Sequence, residues 1–513
     1  MMNRKVRVRF APSPTGPLHI GGVRTALYNY LFAKKHQGDF ILRIEDTDQN
    51  RFVPGAEEYI VEALRWCGIA PNEGVGFGDG TFAPYRQSER KTMYRQYAEQ
   101  LLESGHAYYA FDTAEELDAM RDMLKANGMS PQYDAISRGN MKNSLSLPAD
   151  EVKSRLASGE AYVVRIKLPR KEEVKFHDII RGWVTFHSSQ MDDKVLFKSD
   201  GMPTYHLANV VDDYLMNISH VIRGEEWLPS APLHVMLYKF LGWEEQMPEF
   251  AHLPLILKPD GNGKLSKRDG DRLGFPVFPL DWFDPNSGEK SSGYRESGYF
   301  PEAVINLLAF LGWHPSDNKE LFSLDELVDS FTLDRVSKSG AKFDVNKAFW
   351  FNQQYLRLKT DDELATALMS ILNKEAPGQD LSYVSKVCGL MKEKVSFINQ
   401  FYTEGTYFFH KDITFDQELI SKRFKEFTVP VLSKIQEELN KLDTFTQENI
   451  EAVFHRVVEV EFGKKPGEMM QAFRIAVSGA AGGPPIFEMV ALLGQAWVSE
   501  RIKACIQFAQ KHV

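Results

Sequence analysis

The 513-residue sequence is poor in cysteine, in long apolar runs and in net positive charge. Its three cysteines, Cys67, Cys388 and Cys505, lie too far apart for a disulfide framework or a cysteine-based zinc cluster, which is typical of a cytoplasmic protein. No apolar run approaches the length of a membrane span, so no membrane segment is expected. The net charge of −9 argues against a positively charged coat for nonspecific nucleic-acid binding, although local basic patches still permit RNA contacts.

The length of the chain exceeds what a single hydrophobic core usually serves, so about two to four domains are expected. The hydrophobic fraction of 43% and the charged fraction of 26% are ordinary for a globular protein. Composition therefore indicates a multidomain protein of enzyme size and no particular activity.

The start of the chain predicts a strand, a tight turn and a helix. Residues 6–10 alternate apolar and basic side chains, which is typical of a β-strand. Three prolines within 12–17 then prevent any regular element, because each lacks a backbone donor. From Ile20 the apolar residues recur at helical spacing, and Gly38 is the predicted stop. The helix dipole and the free N–H groups around His19 therefore predict an anion site.

A second buried strand is predicted over 39–45, which completes a βαβ unit and brings Glu45 to its carboxyl end. Ligands of such units bind beyond these strand ends. Taken alone, Glu45 also fits a solvated acidic loop or a divalent-cation loop. His19 alone equally fits a buried histidine beside a loop glycine.

Two later stretches combine polar and apolar residues in a way that suits a ligand site. Tyr205, Asn209 and Asp212 fall on one face of a predicted helix, which could line a pocket or face solvent. The segment 264–268, KLSKR, follows a glycine and is predicted to be a cationic loop. Alone it fits a solvated charged surface equally well.

Taken together, these stretches resemble the two signatures of class I aminoacyl-tRNA synthetases, and the surrounding motifs resemble those of the bacterial-type glutamyl-tRNA synthetases. The resemblance covers most of residues 4–350. Its motifs are RFAPSPTG at 9–16, HIGG at 19–22, IEDTD at 44–48, YRQSER at 85–90, KSDGMPTYHLANVVDD at 198–213, VIRGEEW at 221–227 and KLSKR at 264–268.

The resemblance implies an α/β fold: a Rossmann-type catalytic domain with an α+β acceptor-end-binding insertion, followed by an all-helical anticodon-binding region. The expected segments are 1–107 and 191–257 for the catalytic domain, 108–190 for the insertion, 258–335 for a clamp-loop and stem-contact domain, and 336–513 for the helical region. Residues 271–298 do not fit the family pattern and are interpreted as a further insertion without an assigned role.

The implied activity is activation of L-glutamate with ATP to glutamyl-adenylate, followed by transfer of glutamate to the 3′ end of tRNA(Glu). His19 and Lys267 are expected to be catalytic. The expected ATP-binding residues are Gly21, Gly22, Glu226, Trp227, Lys264, Lys267 and Arg268. The expected glutamate-binding residues are Arg9, Ala11, Ser13, Glu45, Tyr205, Asn209 and Arg223.

The expected substrates are L-glutamate, tRNA(Glu) and ATP with Mg²⁺, and the protein is expected to be a cytoplasmic monomer without membrane contacts. Some relatives bind zinc through cysteines in the insertion, but residues 108–190 contain none, so no structural zinc or other metal site is expected. Basic residues that could meet RNA are Lys386, Lys392 and Lys394, and a solvated helix face explains them equally well. Whether tRNA(Gln) is also charged stays open.

Helical periodicity dominates from Phe300 to the end, for example over 382–401, and no strand-rich barrel is visible. This favours the helical module of bacterial glutamyl enzymes over the β-barrel of glutaminyl enzymes. A synthetase-derived glutamyl transferase would lack this region, and an inactive RNA-binding paralogue should have lost His19 or 264–268. An unrelated nucleotidyltransferase would not need the acceptor insertion.

Overall fold

The computed structural model describes residues 4–512, so the first three residues and Val513 of the predicted segments lie outside it. The described chain forms two compact units. The first runs to Ser297 and includes Pro301–Val345, and the second comprises Gly298–Phe300 and the residues from Asn346 onward. Within 4–512, none of the helices combines the length and the apolarity that crossing a membrane requires.

The predicted βαβ unit opens the first unit. Strand β1 (Arg7–Phe10) leads through the proline-rich turn into helix α1 (Ile20–Lys35), and β2 (Asp39–Leu42) returns parallel to β1. Helix α1 ends close to the predicted Gly38, but the residue that adopts the left-handed conformation after the helix is Gln37, with a φ of 52°. A Cβ on Gly38 would lie 2.2 Å from the backbone oxygen of Val6, directly before β1, so this glycine allows the close approach of helix end and strand.

The remaining elements of the first unit alternate along the chain. The strands are β3 (Glu73–Gly74), β4 (Ala107–Ala110), β5 (Val163–Ile166), β6 (Glu173–Asp178), β7 (Gly182–His187), β8 (Val195–Phe197), β9 (His220–Gly224), β10 (Glu249–Leu253), β11 (Ile256–Leu257), β12 (Trp282–Phe283), β13 (Lys290–Ser291) and β14 (Ala341–Lys342). The helices are α2 (Ala56–Trp66), α3 (Lys91–Glu103), α4 (Ala114–Ala126), α5 (Ala149–Ala157), α6 (Tyr205–Leu215), α7 (Ala231–Phe240), α8 (Lys267–Leu273), α9 (Pro301–Ala309) and α10 (Leu324–Ser330).

Two sheets that meet side by side position the site. One has the parallel order β1-β2-β3. The other has the order β9-β10-β6-β7, in which the first three strands are parallel and β7 is antiparallel. The backbone N–H of Ser219, just before β9, donates to the carbonyl of Arg7 in β1 at 2.8 Å. Successive strands therefore run outward in opposite directions from β1 and β9, and this switch point is where open α/β sheets bind ligands.

A smaller antiparallel sheet has the order β4-β5-β8. Its central strand β5 lies within the predicted insertion 108–190, whereas β8 follows the predicted boundary. Helix α4 begins beside it with a capping box between Thr113 and Glu116. The hairpin β6–β7, also within the predicted segment 108–190, hydrogen-bonds instead to β10 of the large sheet.

The second unit is helical, and its described residues contain no strand. Its helices are α11 (Val345–Leu358), α12 (Asp361–Glu375), α13 (Leu381–Met391), α14 (Ile398–Thr403), α15 (Gln417–Arg423), α16 (Thr428–Leu439), α17 (Gln447–His455), α18 (Pro466–Ser478), α19 (Ile486–Leu493) and α20 (Gln495–His512). A single helix over 382–401 is wrong. The chain breaks after α13, and the Gln400 side chain accepts from the backbone N–H groups of Ser396 and Phe397, which caps the start of α14.

Candidate active site

A cavity of about 370 Å³ lies at the switch point, between the carboxyl ends of β1 and β9 and the N-terminus of α1. Residues from segments more than two hundred positions apart meet there. All seven residues that the family resemblance assigns to glutamate line it: Arg9, Ala11, Ser13, Glu45, Tyr205, Asn209 and Arg223. Four of the residues assigned to ATP also line it: Gly21, Gly22, Glu226 and Trp227.

A second cavity of about 310 Å³ adjoins the first. The two share Gly21, Gly22, Thr25, Gly224 and Glu226, and His19 and Lys264 are among the residues that line only the second. The two family signatures are therefore joined by one continuous lining.

One nitrogen of the His19 ring is hydrogen-bonded and the other is not, among the described residues. As the N-cap of α1, its Nδ1 accepts from the backbone N–H of Gly21 at 3.1 Å, so the neutral ring carries its proton on Nε2. That Nε2 atom is buried and has no partner within residues 4–512. Burial, together with the positive charge of Lys264, lowers the pKa of His19 to about 4. The ring is therefore a neutral donor whose one N–H is unsatisfied, an arrangement that usually has a functional reason.

A buried ion network supports the opposite wall. Arg9, which is 3% exposed, donates from Nε and Nη2 to both carboxylate oxygens of Asp213, at 3.0 and 3.1 Å. Arg43 donates to the same carboxylate at 2.8 Å and to Glu45 at 3.0 Å. Asn209 donates to the same Glu45 oxygen at 3.1 Å. The network leaves the second Glu45 oxygen and the Nη1 end of Arg9 without a partner among the described residues.

Sequence reasoning missed Asp213, which ends the motif stretch 198–213, and Arg43, which directly precedes the motif at 44–48. Both could have been noticed from their apolar surroundings: Asp213 follows the apolar residues of a predicted helix, and Arg43 lies within a predicted buried strand. Neither charge is stable in such a place without a partner, so each implied one.

Arg223 projects from the end of β9 and is also anchored. Its Nη1 donates to the Tyr205 hydroxyl at 2.8 Å, and its Nη2 donates to the backbone carbonyl of Trp227 at 3.3 Å. Its Nε donates to Nε2 of His252 at 3.0 Å. Two arginines therefore approach one cavity from β1 and β9, and each retains unpartnered N–H groups among the described residues.

The segment 264–268, which was predicted to be a loop, is helical from Lys267 onward. Ser266 caps α8, where the carboxylate of Asp269 accepts from the Ser266 backbone N–H at 3.0 Å, so Lys267 and Arg268 lie in the first helical turn. Lys264 pairs with Glu226 at 3.0 Å. Lys267 and the exposed Arg268 do not line either cavity.

The segment 271–298, which had no assigned role, packs directly against the turn that carries His19. The carbonyl of Val277 accepts from the backbone N–H of Ile20 at 3.0 Å, and the Phe278 ring meets the edge of the His19 ring at 5.9 Å. Strands β12 and β13 form a hairpin whose Glu289 pairs with Lys267 at 3.1 Å.

In the second unit, the three lysines predicted to meet RNA differ in their surroundings. Lys386 and Lys394 are exposed, whereas Lys392 pairs with Asp361 at 2.9 Å and is largely covered. The paired lysine has less freedom to contact a phosphate.

The described residues contain no group of three or more His, Cys, Asp or Glu side chains arranged to hold a metal ion. The three cysteines are buried, and burial raises the pKa of each thiol to about 12. They are therefore thiols rather than thiolate ligands at neutral pH.

Comparison with known proteins agrees with this geometry. Residues 5–350 match the family "tRNA synthetases class I (E and Q), catalytic domain", and residues 363–506 match "Anticodon binding domain". The chain is 56% identical over 512 residues to a glutamate–tRNA ligase of Cytophaga hutchinsonii, with 99% of each chain covered, and 56% identical over 508 residues to that of Phocaeicola vulgatus, again with 99% of each covered.

A solved structure gives the same result. The crystal structure of a glutamate tRNA ligase from Elizabethkingia meningosepticum, in complex with its amino acid, superposes with a TM-score of 0.95 at 49% identity, covering 98% of this chain and 99% of that one. The family match covers well over half of the chain, and the relatives match its full length. The chain therefore belongs to the bacterial glutamate–tRNA ligases of the class I (E and Q) synthetase family.

Proposed function

We propose that the switch-point cavity is the place where this glutamate–tRNA ligase forms glutamyl-adenylate. One observation supports this most strongly. The cavity at the ends of β1 and β9 combines two anchored arginines and a buried carboxylate with the turn that carries His19. Glutamate has two carboxylates and one ammonium group, so the charges of this cavity complement it.

In this proposal Arg9 and Arg223 hold the two carboxylates of glutamate, and Glu45 with Asn209 holds the ammonium group. Arg9 faces the side chain, since the corresponding family residue does so. Ala11, Ser13 and Tyr205 complete the wall.

ATP, as its Mg²⁺ complex, occupies the adjoining space. Gly21 and Gly22 border the phosphates, and Glu226 with Trp227 borders the adenosine. Lys264 and Arg268 hold the leaving pyrophosphate, for which α8 and the preceding residues must move toward the cavity.

The reaction has two steps. The glutamate α-carboxylate attacks the α-phosphate of ATP, which gives glutamyl-adenylate and pyrophosphate, and a terminal ribose hydroxyl of tRNA then takes the glutamyl group. Such chemistry depends on placement and charge stabilisation. The Nε2–H of His19 donates to an oxygen of the reacting phosphate, and the ammonium group of Lys267 joins it after leaving Glu289.

The finer identities are also proposals. The acceptor is tRNA(Glu), and the exposed Lys386 and Lys394 are better placed than Lys392 to contact its phosphates. The protein acts as a cytoplasmic monomer without structural zinc. Charging purified glutamate and glutamine isoacceptors in turn decides whether tRNA(Gln) is also a substrate.

The proposal is tested by His19→Asn, which separates the two roles of this side chain. Asparagine keeps an N-cap acceptor for Gly21 but has no donor at the position of Nε2. Single-turnover adenylate formation should fall by about 10²–10³, as for loss of one preorganised donor, while the KM for glutamate changes little. The matched control is His36→Asn at the other end of α1. A loss below about tenfold in His19→Asn assigns the phosphate contact elsewhere.

A further inference from the structure

A buried chain of hydrogen bonds reaches the cavity from inside the large sheet. Asp178 ends β6, His252 lies in β10, and Arg223 lies directly opposite His252 in the parallel pairing of β10 with β9. Oδ2 of Asp178 lies 2.6 Å from Nδ1 of His252, and Nε2 of His252 lies 3.0 Å from Nε of Arg223. Asp178 and His252 are fully buried, and neither lines a cavity described above.

The direction of each hydrogen bond follows from the arginine. A guanidinium Nε always carries a proton, so Nε2 of His252 must accept and cannot be protonated. The single ring proton is then on Nδ1, where it is donated to Asp178. Burial and the nearby Arg223 charge lower the pKa of His252 to about 4 despite the opposing effect of Asp178, in agreement with a neutral ring.

Asp178 is fixed by the backbone around it. Its Oδ1 accepts from the backbone N–H groups of Ile180 and Arg181, at 3.0 and 2.8 Å, and its Oδ2 accepts from that of His252 at 3.1 Å. Burial alone would raise the pKa of Asp178, but the hydrogen bonds from His252 and the backbone hold it below its ordinary value. An ionised carboxylate at a fixed position therefore orients the imidazole.

The orientation of the imidazole in turn fixes Arg223. With Nε held by His252, Nη1 by Tyr205 and Nη2 by the carbonyl of Trp227, rotation of the guanidinium would break three contacts. Each terminal nitrogen keeps one N–H without a partner among residues 4–512. A group already ordered before its ligand arrives loses less conformational entropy on binding.

We propose that Asp178 and His252 are positioning residues for amino-acid binding, which set the Arg223 guanidinium so that its two remaining N–H groups meet a glutamate carboxylate. This inference rests on the proposed role of Arg223. Neither residue touches the substrate. Their effect should therefore appear in the KM for glutamate and not in the KM for ATP.

Two substitutions of His252 separate its two hydrogen bonds. His252→Asn keeps a donor near Nδ1 for Asp178 but has nothing to reach Arg223, whereas His252→Gln places an acceptor near Nε2. His252→Asn should raise the KM for glutamate by about ten- to a hundredfold, by analogy with removal of the hydrogen-bond partner that orients a metal-ligating side chain. His252→Gln should restore most of this loss, and the KM for ATP should change in neither.

The matched control is His220→Asn. His220 is another poorly exposed histidine of the same sheet, where it bonds to Ser219 rather than to Arg223. Equal glutamate KM values in His252→Asn and His252→Gln, or an equal rise in the KM for ATP, would show a merely structural histidine and overturn the proposal.

Arg223→Gln distinguishes failure of this inference from failure of the site assignment. If Arg223→Gln leaves the KM for glutamate unchanged, the assigned role of Arg223 fails and the positioning role fails with it. If Arg223→Gln raises that KM and His252→Asn does not, only the positioning role is overturned. Nitrogen NMR of the wild-type protein gives a test that needs no variant, because a proton on Nε2 of His252 would contradict the proposal.

Discussion

Arg9→Gln tests how the site distinguishes glutamate from glutamine. Arg9 uses Nε–H and one Nη2–H on Asp213, which leaves three N–H groups for the substrate. A γ-carboxylate accepts a forked pair from them, whereas the amide of glutamine directs its own donors at donors. A buried cation left partly unpaired costs about 2–5 kcal/mol, so the wild-type enzyme should prefer glutamate by at least about thirtyfold.

The variant should survive as a folded protein, because Asp213 keeps its 2.8 Å partner Arg43 when Arg9 is lost. Its glutamine side chain offers both a donor and an acceptor and discriminates weakly. The ratio of kcat/KM for glutamate to that for glutamine should therefore fall by more than about tenfold, or 1.4 kcal/mol.

The matched control is Arg7→Gln, in the same strand. Arg7 is also buried and ion-paired, with Asp39 at 2.7 Å and with Glu73, but it does not line the cavity. Its removal should lower the melting temperature without changing the ratio. If both substrates lose kcat/KM equally in Arg9→Gln and the ratio stays fixed, Arg9 does not contact the γ-carboxylate.

Three further predictions concern the clamp, pH and metal. Lys267→Ala should slow single-turnover adenylate formation by about 10²–10³. Glu289→Gln removes only the exposed partner of Lys267, and exposed ion pairs contribute about 0–1 kcal/mol, so it should change the KM for ATP by less than about fivefold. A larger effect of Glu289→Gln would make the hairpin part of the ATP site. Four histidines have a folded pKa of about 4: His19, His206, His220 and His252. Between pH 6.5 and 4 these histidines take up a proton in the unfolded state but not in the folded state. The free energy of unfolding should therefore fall as pH drops from 6.5 toward 4, by up to about 1.4 kcal/mol per pH unit for each histidine. If the pH dependence of the unfolding free energy, measured by urea denaturation, is the same in His220→Asn as in the wild type, the prediction is refuted. Elemental analysis after dialysis should find less than about one-tenth equivalent of zinc, and stoichiometric zinc whose chelation abolishes charging would contradict the prediction.

Local patterns were sufficient for the elements around the site. The change of period at Ile20 predicts α1, and the spacing of Tyr205 and Asn209 predicts a polar face on α6. Glu45 was correctly expected near the first turn, because parallel strand ends meet at one sheet edge. These features depend on short-range periodicity and on a general rule for βαβ units.

The partners of the buried charges could not be predicted in the same way. Arg7 and Arg9 alternate with apolar residues, which suggests one solvated face, yet all of β1 is buried. Buried arginines of this site pair with residues that are distant in the sequence. Asp213, the partner of Arg9, lies 204 residues after it, and His252, the partner of Arg223, lies 29 residues after it. A sequence reports that a charge in a strand needs a partner, but only the packing of α6 and β10 determines which partner it has.

The segment 271–298 shows why a stretch outside the family pattern can still affect the site. Its first part is bound into the fold, because Val277 satisfies the backbone donor at the start of α1 and Phe278 packs on His19. Its hairpin contacts Lys267 through an exposed ion pair with Glu289, which is weak. The first contacts therefore fix the turn that carries His19, whereas the ion pair of Lys267 can be broken at little free-energy cost. In the proposed reaction His19 is the preorganised group and Lys267 is the group that must close over the substrate, which suits this difference in anchoring.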